Sequence, residues 1–227
     1  MKLVHDSPLP LLPRAYPGVT ARSRRPATPV AGMVLLVLLL GGCIGGGRSP
    51  EPDYYLLTAA TGETASRYPH LALGVGPVRV SPFLDRTRIA THNGATIRMH
   101  DGHRWAEPLD EAVQRVLVQN LGLLTGADVR NFPWTRRTQP DLALRVDVLD
   151  LNATASGEAV LEVNWVLEDI PGDRLVHSGH DTFSRYTANA GADTEALVRA
   201  YSDLLGRLAI RIVEKLPPPP EASYSGH

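Results

Sequence analysis

The stretch "AVLEVNWVLED", residues 159–169, sets Leu161, Val163, Trp165 and Leu167 on one side of an extended chain. Glu162, Asn164 and Glu168 are among those on the other side. Side chains of a strand alternate between faces, so this period of two predicts a strand with one apolar and one wet face. Upstream, "LALRVDVLDL" (142–151) alternates in the same way through Leu142, Leu144, Val146 and Val148. Downstream, "IPGDR" (170–174) reads as a turn and "LVHSGHDTFSRY" (175–186) as a strand pairing back. Strands of this kind form an antiparallel sheet that needs cover on one side only.

Two segments can supply that cover. Between Glu107 and Leu124 the apolar residues Leu109, Ala112, Val113, Val116, Leu117, Leu121 and Leu124 fall on one helical stripe. Pro108 suits the first turn, Glu107, Asp110 and Glu111 suit the positive end of the dipole, and Gly126 suits the stop. A second stripe, Leu197, Tyr201, Leu204, Leu205, Leu208 and Ile212, predicts a helix from about Thr194 to Leu216, with Asp193 or Thr194 as N-cap. Nearer the N-terminus, "YYLLT" (54–58) is an extended start, and "LALGVGPVRV" (71–80) is a strand interrupted by Gly74, Gly76 and Pro77. "RIATHNGATIRM" (88–99) is two strands around Asn93-Gly94. The expected fold is therefore α+β, a mostly antiparallel sheet with two amphipathic helices packed on one face, occupying residues 54–216.

The N-terminal side of this body reads differently. "MVLLVLLLGGCIGGG" (33–47) contains the only cysteine among 227 residues. Its apolar run, 33–40, is too short for a bilayer-spanning helix of about 20 residues. It matches the core of a secretory signal, with Arg22, Arg24 and Arg25 just ahead. Leu40-Gly41-Gly42-Cys43 reads as a lipobox, with cleavage between Gly42 and Cys43. Small residues let the extended chain reach a signal peptidase. The Cys43 thiol accepts diacylglycerol, and the freed α-amino group takes a further acyl chain. More than one chain matters, because a single one holds a protein to a bilayer only marginally. The other reading, a buried inert cysteine in a helix, conflicts with the surrounding glycines.

Residues 1–42 are thus expected to be a lipoprotein signal peptide. Their length and prolines, among them Pro8, Pro10, Pro13, Pro17 and Pro26, raise the alternative of a start further on, near Val19. Arg24-Arg25 hints at a twin-arginine signal, but Pro26-Ala27 breaks that pattern. Residues 43–53 read as the lipidated cysteine and a flexible tether, and 217–227 as a Pro-rich disordered tail. The whole chain has 23 basic and 24 acidic residues, and removing Lys2, Arg14, Arg22, Arg24, Arg25 and Asp6 with the leader leaves a net charge of −5. That balance offers no general attraction to nucleic acid. Ile44 stands where an aspartate would retain the protein in the inner membrane of an enteric bacterium, which points to the outer membrane, with the body facing the periplasm.

Catalytic signatures are missing: no G-x-S-x-G elbow, P-loop or G-x-G-x-x-G precedes a helix. His100 and His103 sit in what reads as a turn, with Asp101 between them but no third strong ligand near. His177 and His180 fall on opposite faces of a strand. No metal and no cofactor beyond the acyl groups on Cys43 are expected. Arg104 and Trp105 at a helix start could form a partner contact, or Trp105 could be a staple packing on that helix. Asp85 and Arg86 could be a surface ion pair of little energetic worth, or part of the same contact.

Taken in order, "YYLL", "VGPVRVSPFLDRTRIAT", "RWAEPLDEAVQRVLVQNL", "VLEVNWVLED" and a final amphipathic helix resemble the ABC-type transport auxiliary lipoproteins, the paraquat-inducible protein C family. The resemblance covers about 54–216. It implies a non-catalytic, outer-membrane-anchored periplasmic accessory of an MCE-type lipid transport system, docking an MCE-domain protein, as a homo-oligomer. Cys43 matches the family's acylated cysteine. The longer leader and the Pro-rich tail depart from the pattern. A structural or assembly lipoprotein of another outer-membrane machine, with a β-barrel partner, is the alternative, and a lipid-binding or hydrolytic enzyme a third.

Overall fold

A computed structural model describes residues 50–59, 67–154, 156–187 and 193–219. Among them the chain runs β1 (Asp53–Tyr55), β2 (Ala72–Val80), β3 (Arg88–Asn93), β4 (Thr96–Trp105), α1 (Leu109–Thr125), β5 (Asp128–Asn131), β6 (Leu142–Ala153), β7 (Glu158–Asp169), β8 (Arg174–Tyr186) and α2 (Thr194–Val213). This is an α+β fold. Two sheets take the place of one: a three-stranded β1-β4-β3 and a five-stranded β5-β2-β6-β7-β8. The long β6–β7–β8 run is an antiparallel meander, as the alternation predicts. By contrast β2 pairs in parallel with both β5 and β6, and β1 with β4. The hairpin β3–β4 and then α1 intervene between β2 and β5, which gives the length that a parallel return requires.

Both helices pack on the inner face of the five-stranded sheet and against each other. Leu144, Leu161, Val163 and Leu167 from the sheet are fully buried beneath Val116, Leu117, Leu121, Leu197, Leu204 and Leu208. Each such side chain stabilises the fold by about 1.5–3 kcal/mol relative to exposure. Gly126 ends α1 in the left-handed conformation, φ 69°. Asp193 is the N-cap of α2, accepting the Ala196 N–H at 2.9 Å. The outer face of the sheet is wet and tied by ion pairs such as Arg79–Asp147 at 3.0 Å and Arg145–Glu168 at 2.9 Å.

Two local expectations shift. The hairpin turns at Gly94-Ala95, with Asn93 paired to Thr96 and positive φ at Gly94 alone, the pattern of a type II′ turn. And β4 continues through residues 100–103, which are strand rather than turn. There Ile89 of β3 faces four residues of β4, and Gly102 at φ 81° makes the bulge possible.

Trp165 explains a glycine in the middle of β8. Gly179 is its cross-strand partner, and a Cβ there would lie 2.6 Å from the indole ring. The indole N–H donates to Asp181 at 2.7 Å. Replacing Gly179 with Val should therefore lower stability by about 1–3 kcal/mol through overpacking. Urea unfolding checks this, and an unchanged midpoint would contradict the packing described.

Candidate functional site

Gly42 and Cys43 lie outside the described residues, as do most of the tether and of the Pro-rich tail. The other four candidates are brought together at one end of the three-stranded sheet. Asp85 and Arg86 are exposed in the turn after β2, which is fixed by the Leu84 N–H to Ser81 carbonyl bond at 2.8 Å and by Ser81 Oγ donating to the Leu149 carbonyl at 2.7 Å. Arg86 Nε donates to the Phe83 carbonyl, and no ion pair joins it to Asp85. Immediately after the turn, the Thr87 carbonyl accepts the Trp105 N–H at 2.8 Å, so the end of β4 runs alongside.

Trp105 itself is not on the surface. It is 5% exposed, and its ring tilts against Tyr201 of α2 with centroids 6.5 Å apart. Strand alternation is the reason: Tyr55 and Trp105 pair in register and turn inward, while Tyr54 and Arg104 pair and turn outward. As a partner contact Trp105 is thereby corrected to a core residue joining β4 to α2, and Arg104, Asp85 and Arg86 keep the surface.

The histidines form a second feature. The bulge in β4 turns His100 and His103 toward each other, their rings 6.5 Å apart, in a cleft of about 420 Å³ also lined by Thr91, His92, Thr154 and Thr194. His100 Nε2 shares a hydrogen bond with Thr91 Oγ1 at 3.2 Å, and His103 Nδ1 with the Tyr55 hydroxyl at 2.9 Å. His92 Nε2 meets Asp150 at 2.9 Å. Among the described residues no three His, Cys, Asp or Glu side chains gather as a metal site. His177 and His180 face opposite Leu167 and Asn164, one on each side of β8.

A third feature carried no signal in the sequence beyond alternation in "YYLL". Tyr54 and Leu56 point outward beside α2, and Tyr186 at the end of β8 is exposed as well. The hollows next to β1 and next to β8 share Thr58, Arg199 and Ser202, so they form one groove along the first turns of α2.

Residues 54–213, from the first strand through the last helix, match the family model of the ABC-type transport auxiliary lipoprotein component. The chain belongs to that family. Membership makes it a lipoprotein with an auxiliary role in transport, held at a membrane; no helix among the described residues is long and apolar enough to cross one. Among solved structures, an uncharacterized protein is 19% identical with a TM-score of 0.60, covering 74% of this chain and 99% of that one. A Xanthomonas campestris protein of family DUF330 is 20% identical with a TM-score of 0.57, over 71% of this chain and 92% of that one. Both likenesses establish the fold. No curated protein matches the chain.

Burial, and behind it the neighbouring His103, hold the His100 imidazole below the ordinary histidine value. The unfolded chain then binds a proton at this position more readily than the folded one. Stability from this source is complete above the unfolded value of about 6.5 and declines as pH falls through it toward the lower folded value. Unfolding by urea between about pH 7 and pH 5 should show that decline, and His100→Asn should reduce its slope. An identical slope in the variant would contradict the assignment.

Proposed function

We propose that this auxiliary lipoprotein is a non-catalytic docking component of an MCE-type intermembrane lipid transport system. Acyl chains on Cys43, exposed by cleavage after Gly42, anchor it in the outer membrane with its body in the periplasm. There it engages an MCE-domain protein as a homo-oligomer. The observation that carries this reading is the extent of the family match, which takes in every strand and both helices of the folded body. Physically, anchoring converts a weak contact into a local one. A body held near the membrane meets its partner at a raised effective concentration, so the binding surface itself can be modest. The exposed turn at Asp85 and Arg86, beside Arg104, is the part of the predicted contact that remains available for it.

In-cell crosslinking from a photoreactive residue at Asp85 or Arg86 tests the proposal, with Cys43→Ala as the unanchored control. An MCE-domain protein should be recovered with the anchored chain and be reduced or lost in the control. Recovery of a β-barrel assembly alone would contradict the docking role and favour membership of another outer-membrane machine.

A further inference from the structure

The loop "FPWTRRTQP" (132–140) leaves β5 at one edge of the five-stranded sheet and is braced along its length. The Phe132 N–H donates to the Val75 carbonyl at 2.9 Å, and Gln114 of α1 donates to the Phe132 carbonyl at 2.9 Å. Trp134 and Pro140 lie against Gly74, where a Cβ would come within 2.7 Å of each side chain. Leu73 and Val75, on either side of Gly74, turn into the core, so this contact is on the outer face of the sheet. The Phe132 and Trp134 rings meet edge to face with centroids 5.1 Å apart, and Arg130 donates across the loop to the Thr138 carbonyl at 3.1 Å.

The tip of this braced loop is a tight turn. The Thr138 N–H donates to the Thr135 carbonyl at 3.0 Å, and the Thr135 N–H donates to the Thr138 hydroxyl at 2.9 Å. Arg136 and Arg137 are the two central residues, and both are exposed. Nine other arginines among the described residues pair with carboxylates, whereas these two do not. The carboxylates nearest in sequence are already engaged, Asp128 by Arg130 and Asp141 by the Ala72 N–H at 2.9 Å. Two adjacent guanidiniums thus stand unpaired on a body whose net charge without the leader is −5, with Phe132 40% exposed at their base.

Arginine and aromatic side chains dominate contacts between proteins, and a guanidinium takes a carboxylate through two parallel hydrogen bonds. A loop already ordered before contact loses little freedom on docking. A lipid surface fits this loop less well. Basic segments that hold proteins to anionic lipid carry about four to eight cations, and the indole that would enter the headgroups is turned down onto Gly74. We propose that Arg136, Arg137 and Phe132 dock an acidic segment of a protein partner, its carboxylates on the two guanidiniums and an apolar side chain on the Phe132 ring. This is a second contact, on the β5 edge, and it stands whether or not the one at Asp85 and Arg86 does.

The test uses the full chain as purified from membranes, placed in phosphatidylcholine nanodiscs. It is titrated against a fluorescein-labelled peptide of glutamates around a central leucine, with affinity read from anisotropy. Arg136→Glu with Arg137→Glu should weaken binding by about tenfold or more. Arg67→Glu with Arg98→Glu makes the same change in net charge on exposed arginines that lack carboxylate partners, and should leave affinity within about twofold. Equal weakening in the two double variants, or no binding by the unsubstituted protein, would overturn the proposal. Peptide binding abolished by phosphatidylglycerol in the nanodiscs would make lipid the occupant and overturn it as well. So would pairing of nanodiscs, seen by sedimentation, that Arg136→Glu with Arg137→Glu disrupts, because the occupant would then be a second copy.

Discussion

The inner face of the five-stranded sheet is the surface on which everything else depends. Leu144, Leu161, Val163, Trp165 and Leu167 line it, and two amphipathic helices compete for the same area. They fit because they also pack against each other, and Val116, Leu117, Leu204 and Leu208 are all fully buried in the shared core. With that face closed, the opposite one is free to be wet. The three-stranded sheet must then attach at an end. It does so through Trp105 against Tyr201, through the Asn152 side chain, which pairs with both backbone groups of His92 at 2.8 and 3.1 Å, and through Arg115 donating to the Leu57 carbonyl at 2.8 Å. Removal of a polar partner from such a joint leaves a buried group unsatisfied, which costs more than the bond contributes.

Much of this was legible in the sequence because the signals are local. The Leu161 to Leu167 alternation and the two helical stripes match the buried faces, with all six apolar positions of α2 buried and, in α1, every one but the half-buried Leu124. Partner choice is not local, and there the reading stopped. Nothing in "LALGVGPVRV" says that β2 lies parallel to two strands, β5 and β6, that come more than forty residues later in the chain. The strand β5, four residues reading "DVRN", is too short and too polar to alternate. The continuation of β4 through "MHDGHRW" was hidden by Gly102, which looks like a turn residue but serves a bulge. At the contact site, alternation assigns Trp105 inward only once Tyr55 is known to be its neighbour.

The function follows a similar division. A scaffold built around one closed core leaves its edges and turns to do the recognition, and here these include β1, the Asp85–Arg86 turn and the outward Arg104. Family membership accounts for the body as a transport auxiliary component. In the proposed reading, acyl chains on Cys43 would keep such a body where it works, since a small contact surface suffices when they supply the residence at the membrane.

That dependence makes the state of Cys43 the central point. The most direct measurement is mass spectrometry of the N-terminal peptide of the protein purified from membranes. The account predicts a peptide beginning at Cys43 and carrying a diacylglycerol on sulfur and an acyl chain on its α-amino group. A peptide that reads through Gly42 into an unmodified Cys43 would contradict it.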